Sequence, residues 1–452
     1  MLGIKGLHAL LGLEVQPGAA QVFIYSEHTS ERLLYTCDFI FKHVVGVNFF
    51  ITQDRDEFEK CAGLKINYSY REMEDCLQIL PHTLLFEKGI SELKPASTVR
   101  NGSLYFFENK VGFSFDVFSA VFYFISRYEE WQSFKPDAHQ RFEAAESLLF
   151  QKKFHLKPLV DIWISELKGA LERNFPAKKL PPREFRLLST IDVDNVYAYR
   201  SKGPVRTLGA VAKDLLAGDF TNLKERMLVL REKKKDPFDI YEEVADFCFE
   251  HKIPLIFFFL FRTGNKHDRT LKTSSPAFKE VFDILHKNRA LMGIHPSYDA
   301  AFNEELLKDE LKKLGNVSSQ KITCSRQHYL RFDIRSTPQL LLKNGIEADF
   351  TMGYASAPGF RAGTSYPFYY FDFHREAAST LLFVPFCAMD GAFTVYNKSE
   401  PLAAMQSFNE LAQEIKKVGG NFITVFHERT FSDHLYKGFG TLYKNLHLKL
   451  KG

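Results

Sequence analysis

Apolar positions follow two different periods along the chain. In the second half, short runs rich in branched and aromatic residues recur: "FRLLSTIDV" (185–193), "IPLIFFFL" (253–260), "ALMGI" (290–294), "KITCSR" (321–326), "ADFTMGY" (348–354), "LLFVPFCAM" (381–389) and "NFITVFH" (421–427). Runs this short, bounded by polar and turn residues, predict strands buried on both faces. Between them the spacing changes to threes and fours. Ile240, Val244 and Phe247 share one helical face, as do Phe278, Val281, Phe282 and Leu285, and Leu402, Met405, Phe408, Leu411, Ile415 and Val418. Gly419 and Gly420 stop the last of these helices. Seven strands alternating with helices predict a parallel sheet, open or closed into a barrel. In both architectures the site lies at the C-terminal ends of the strands.

The first part of the chain is organised differently. "QVFIYS" (21–26), "LKINYS" (64–69) and "SLYFFE" (103–108) read as strands. "FDVFSAVFYFISRYEEW" (115–131) reads as a buried helix with Asp116 near its start. This predicts an α+β domain over 21–150, preceded by an extension over 1–20 that is possibly disordered. A helical linker over 151–182 ends in the Pro- and Lys-rich "PAKKLPP" (176–182), and the α/β barrel occupies 183–452. An insertion at 195–237 holds two helical patterns, "VRTLGAVAKDLLAGDF" and "TNLKERMLVLREKKKD", placed to wall off the site.

Composition narrows the classes. A chain of 452 residues with 45% apolar and 25% charged residues suits a globular protein of two or three domains, and its 45 Phe supply large aromatic cores. The net charge of +4 supplies no strong field for nucleic acid or membrane binding, and "REKKKD" (231–236) reads as a solvated helix terminus. Six cysteines without a CxxC pair read as free thiols in a reducing compartment. No run of 18 uncharged apolar residues predicts a membrane span. The start, "MLGIKGLHALLGLEVQPG", lacks a small-residue cleavage site, so no signal peptide is expected and the cytoplasm is the expected location.

The strand ends carry the chemistry. "TIDVDN" puts Asp192 and Asp194 two apart, on one face of a strand. Two such carboxylates push their pKa values apart unless a cation lies between them; a metal ligand beside a general base resolves this, and solvated loop aspartates are the other reading. His295 ends the third strand in "MGIHPSYDA" (292–300). Pro296 suits the first turn of a helix that "NEELLKDELKK" (303–313) would supply. The fourth strand ends "CSRQHYLRF", bringing Arg326 with His328 and Tyr329, and the seventh ends at His427 in "VFHERTFSD".

In this order of motifs, the chain resembles the polysaccharide deacetylases (carbohydrate esterase family four). It is most similar to a Bacteroidetes branch whose extra N-terminal domain carries a "SRYEEW"-type helix, here residues 126–131. The resemblance implies a distorted (β/α) barrel and a metal-dependent hydrolase that removes acetyl groups from an N-acetylated sugar or polysaccharide. "TIDVDN" stands for the family's "TFDDG", which implies Asp192 as general base and Asp194 as metal ligand. Arg326–Tyr329 match "RxPY" with His328 for Pro; Arg326 would orient the base, and His427 would be the general acid. The family's two metal histidines stand at i and i+4, where this chain has His295 and Asp299. The implied set Asp194, His295, Asp299 is harder than Asp-His-His and admits cobalt, manganese or nickel besides zinc. Alternatively, Asp299 is only a helix-start carboxylate. Tyr298, Tyr329, Arg361 and Asp390 are expected to contact the carbohydrate, with Ser297 beside them; a loop salt bridge for Arg361 and a turn role for Asp390 are the alternatives. Two other functions stay open: a metal-free carbohydrate-binding protein on the same fold, and a metal-independent C–N hydrolase acting on a non-sugar amide.

Overall fold

Strand β7 (Arg186–Val193) lies inside the larger sheet, third from one edge, with every residue from Leu188 to Val193 buried. The computed structural model describes residues 4–18 and 20–451. The other strands of this sheet are β8 (Leu255–Leu260), β9 (Leu291–His295), β10 (Cys324–Ser325), β11 (Ala348–Asp349), β12 (Phe368–Asp372), β13 (Ala377–Phe383), β14 (Ala388–Met389) and β15 (Asn421–His427). Their order is β12-β13-β11-β10-β9-β8-β7-β15-β14, and all but β12 run parallel. The α/β class follows the sequence expectation, but the sheet has nine strands where seven were expected. "LLFVPFCAM" is two strands broken around Pro385, and β12 forms an unexpected hairpin with β13.

The order forces the sheet to curl. From β13 to β14 there are seven strand intervals, roughly 34 Å if the sheet were flat. The chain crosses from Phe383 to Ala388 directly, a path of only about 18 Å. The two edges must therefore bend towards each other. The crossing is pinned by Phe386 N–H to Met352 C=O (3.0 Å) and Gly359 N–H to Cys387 C=O (2.7 Å). Gly353 is required here, because a Cβ would collide with the Phe386 ring.

The first unit holds a sheet of order β2-β1-β3-β4, made of β1 (Val22–Ser26), β2 (Phe49–Thr52), β3 (Leu64–Tyr68) and β4 (Leu77–Gln78). All its pairings are parallel, so this unit is α/β rather than the expected α+β; β5 (Ser97–Arg100) and β6 (Ser103–Phe106) form a separate hairpin. Residues expected to be a loose extension form a helix instead. Ile4–Leu11 buries Leu7 and Leu11, and His8 Nε2 lies 2.8 Å from the Tyr369 hydroxyl.

Helix Val117–Ile125 is buried at every position and capped by Asp116, which accepts from Ser119 N–H at 3.1 Å. Arg127 then adopts a left-handed backbone (φ 56°), ending the helix before the short turn Tyr128–Trp131. This break aims the "SRYEEW" side chains at the larger sheet. Arg127 donates to Glu130 (2.8 Å) and Glu129 (2.9 Å), and Arg361 grips both oxygens of Glu130 at 2.8 and 2.6 Å. Arg361 is thus buried in a salt bridge under the first unit, the alternative the sequence offered to a carbohydrate contact, and does not line the candidate cavity. Helix Leu159–Asn174 is tied in the same way, with Asp161 accepting from Thr364 and Ser365. Arg361→Ala strands the Glu130 charge with one partner. It should lower the unfolding free energy by about 3–5 kcal/mol in urea denaturation while leaving metal binding unchanged.

Candidate metal centre and active-site cavity

Strand register assembles the site. His427 pairs with Asp192 across β15 and β7, Leu260 with His295 across β8 and β9, and Ser325 with Ile294 across β10 and β9. The side chains at these strand ends open into a cavity of about 580 Å³. Asp192, Asp194, His295, Gln327, His328, Tyr329, His427 and Arg429 all line it.

Asp194 Oδ1 lies 3.6 Å from His295 Nε2 and 3.4 Å from His328 Nε2. Donors bound to one divalent ion at about 2.0–2.2 Å and tetrahedral angles stand roughly 3.4 Å apart, so this spacing fits. The oxygen is buried and has no hydrogen-bond partner, a costly state for a carboxylate unless a cation completes it. Each imidazole is oriented from behind. His295 Nδ1 lies 2.5 Å from the Arg326 carbonyl, and His328 Nδ1 2.8 Å from Asp268 Oδ1. Both rings therefore turn Nε2 to the same point, the arrangement found behind metal-binding histidines. Burial pushes His295 down to about 4, which keeps it neutral and able to ligate. Burial disfavours the Asp194 charge, but Arg429 and the nearby imidazoles outweigh it and hold its carboxyl well below the usual range. Arg429 NH1 binds the other oxygen, Oδ2, at 2.5 Å.

The third candidate ligand is thus His328, not Asp299. A ligand at i+4 requires a helix running on from His295. Instead Glu310 takes the Ser297 N–H (2.9 Å) and hydroxyl (2.5 Å), and Asp268 takes the Tyr298 N–H (3.1 Å). The helix starts only at Glu304, capped by Asn303. Asp299 points outward with a side chain 59% exposed, near Arg331.

Asp192 is fixed by Arg326 NH1 at 2.6 Å. Arg326 also donates to the Phe350 carbonyl (3.0 Å) and lies over the Phe258 ring, 4.6 Å from its centroid. His427 Nδ1 meets Asp390 Oδ1 at 2.6 Å, and Thr430 also donates to Asp390. Burial alone would lower the His427 pKa, but the Asp390 carboxylate outweighs it and lifts the imidazole to about 9. Asp390 therefore stands behind His427, fully buried, and not against a sugar hydroxyl as the sequence suggested. Glu428 shapes the turn after β7 by accepting the N–H groups of Asp194 and Asn195, both at 3.0 Å.

The rim is aromatic. Tyr329 lines the cavity, 37% exposed, on a left-handed backbone (φ 60°) followed by Leu330 in the same region (φ 52°). Arg141, from the first unit, holds this strained pair through the Tyr329 carbonyl at 2.8 Å. Tyr298 is not a lining residue; it stacks on His267, which is (centroids 4.0 Å apart), and its hydroxyl meets His139 at 3.1 Å. Gln327 is 1% exposed, with neither side-chain polar atom partnered by protein. Asp268, Glu428, Arg429, Arg141 and Gln327 escaped the sequence reading. For His328 a signal existed, a histidine where the family motif has proline. The inserted helices at 204–230 do not line the cavity, contrary to expectation.

Residues 22–176 match a sequence family described as "Family of unknown function (DUF7033)". The match takes in helix Leu159–Asn174, which the sequence reading set apart as a linker. Among curated proteins no sequence matches the chain. Among solved structures, a protein assigned as a polysaccharide deacetylase from Mycobacterium smegmatis overlays 60% of this chain and 85% of its own, at 12% identity and a TM-score of 0.39. Another so assigned, from Pseudomonas aeruginosa PAO1, gives 59%, 85%, 11% and 0.37. A CE4 family pseudoenzyme from Bacillus anthracis gives 60%, 63%, 9% and 0.29.

Titration with zinc followed by calorimetry and elemental analysis separates the two candidate ligands. His328→Ala should abolish stoichiometric binding, and Asp299→Ala should leave it intact. Asp268→Asn should weaken it about 10–100-fold.

Proposed function

We propose that this protein is a metal-dependent hydrolase that cleaves the amide of an N-acetylated sugar or polysaccharide. The observation that carries the reading is the convergence on one cavity of Asp194, His295 and His328 with a carboxylate fixed by Arg326 and an imidazole held charged by Asp390. Asp194 Oδ1, His295 Nε2 and His328 Nε2 would hold a divalent ion, zinc being the first choice for this donor set. When bound, such an ion polarises the amide carbonyl and lowers the pKa of water.

The chain's own residues supply the rest. Asp192, with Oδ1 tied to Arg326, takes a proton from the attacking water on Oδ2. Protonated His427 gives its Nε2 proton to the leaving nitrogen while Asp390 keeps Nδ1 occupied. Water adds to the carbonyl carbon, the C–N bond breaks, and acetate and a free amine leave. The aromatic rim of Tyr329, His267 and Tyr396 suits the apolar face of a sugar ring, and the unpartnered Gln327 amide suits its hydroxyl or acetamido groups. The metal-free binding reading rested on Asp299 standing where the family has its second histidine; His328 Nε2 as a third donor beside Asp194 and His295 supports the metal-dependent reading.

Acetate release from N-acetylated oligosaccharides, with added zinc, cobalt, manganese or nickel, tests the reading. Asp192→Asn should reduce turnover by about 10²–10⁴-fold. If the wild type releases no acetate with any of these ions, the proposal fails. The His427 proton is present below its pKa of about 9, so activity should fall as pH rises through that value. Asp390→Asn removes the charge that raises this pKa, so the alkaline limb should move to lower pH in a pH–rate profile.

A further inference from the structure

The helical hairpin inserted after β7 is built inside out. In helix Pro204–Leu216 the inward face carries Thr207, Val211 and buried Asp214, which pairs with Arg226 of the next helix at 2.8 Å. The outward face carries Val205 (82% exposed), Leu208 (70%), Leu215 (52%) and Leu216 (91%). Phe220 (68%), Met227 (36%) and Leu230 (39%) continue the apolar surface on helix Phe220–Leu230. A helix facing water has the opposite pattern. Outside the Asp214–Arg226 pair, the hairpin is tied to the rest of the chain by Arg206, which donates to the carbonyls of Thr270 (3.0 Å) and Arg269 (2.8 Å), and by the Tyr199 hydroxyl, which donates to Asn222 (2.5 Å); the apolar side chains named above stay exposed.

Charge indicates what covers this face. Lys213, Lys224, Arg231, Lys233 and Lys235 are exposed and, among the described residues, make no ion pair. The acids of the hairpin are engaged: Asp214 with Arg226, Glu225 with Lys234, and Asp219 with the Asn222 N–H; Glu232 alone stays exposed and unpaired. The segment is therefore strongly basic in a chain whose net charge is only +4. Large apolar side chains flanked by free ammonium and guanidinium groups match the interfacial layer of an anionic bilayer, where the apolar groups enter the acyl boundary and the cations meet lipid phosphates. A second copy of the chain is a poorer occupant, because it would bring the same unpaired cations with it. Among the described residues no helix is long and apolar enough to cross a membrane, so such binding would be peripheral.

We propose that the Pro204–Leu230 hairpin docks this protein on anionic lipid surfaces. Lys202 donates to Asn195 Oδ1 at 2.8 Å, and Asn195 lines the cavity, so the hairpin springs from the rim of the candidate site. Docking would hold the cavity mouth close to the lipid headgroups. The inference rests on the hairpin alone and stands apart from the proposed chemistry.

Flotation of the full chain with phosphatidylcholine vesicles, with and without phosphatidylserine, tests it. The protein should float with the phosphatidylserine vesicles, stay behind with phosphatidylcholine alone, and be released as salt rises. The double variant Leu216→Asp/Phe220→Asp should bind at least roughly tenfold more weakly. Lys233→Glu/Lys235→Glu should lose the preference for phosphatidylserine. Both variants change exposed side chains, and an unchanged circular dichroism spectrum checks that they fold. Absence of flotation overturns the proposal, as does equal flotation of the apolar double variant. A dimer in solution that Leu216→Asp/Phe220→Asp dissolves, without vesicle binding, also overturns it in favour of self-association.

Discussion

A buried carboxylate oxygen needs a partner, and Asp194 Oδ1 has none from the protein. Much of the surrounding structure makes sense only as support for that one atom. Glu428 takes the backbone N–H groups of Asp194 and Asn195, which flank the Asp194 Cα, and so fixes where the carboxylate points. Arg429 occupies the second oxygen and leaves the first free. The Arg326 carbonyl and Asp268 turn two imidazoles so that their Nε2 atoms face it. Arg326 contributes twice, since its guanidinium also binds Asp192. One residue thereby couples the orientation of a candidate ligand to that of the candidate base.

The first unit takes part in this arrangement. Its break at Arg127 sends Glu130 to Arg361, and that pair seats the unit against the curled sheet. From there the segment around residue 140 reaches the rim, where Arg141 holds Tyr329 in a backbone conformation that a tyrosine rarely adopts unaided. The mouth of the cavity is therefore lined by both units, with Arg141 from the first beside the aromatic residues of the second.

What was legible in the sequence followed from local pattern. Strands such as β8 and β15 are buried throughout and announce themselves as unbroken apolar runs, so their C-terminal residues could be placed level with one another. Asp192, Asp194, His295, Arg326 and His427 emerge from that reasoning. What was hidden depended on distance. Arg361 and Glu130 are 231 residues apart, and no period links them. His328 complements His295 from a neighbouring strand end, whereas the rule of i and i+4 spacing carried over from the family resemblance pointed to Asp299. That rule failed because Glu310 and Asp268 hold residues 297 and 298 out of helical geometry. Strand β12 lies in an aromatic stretch to which the apolar pattern assigned no element, and Pro385 disguised the division between β13 and β14.

The long separations also set an order of assembly. Asp192 and Arg326 meet across 134 residues, and Glu428 closes on Asp194 across 234. As the chain leaves the ribosome, the aspartates emerge early, but the loop that carries them lacks its anchor until β15 has been made and paired with β7. Contacts this remote form late and slowly, after many residues have lost their freedom. The candidate ligands Asp194, His295 and His328 are thus all made before the segment that fixes the Asp194 backbone, and the geometry of the group is complete only once the last strand has been inserted.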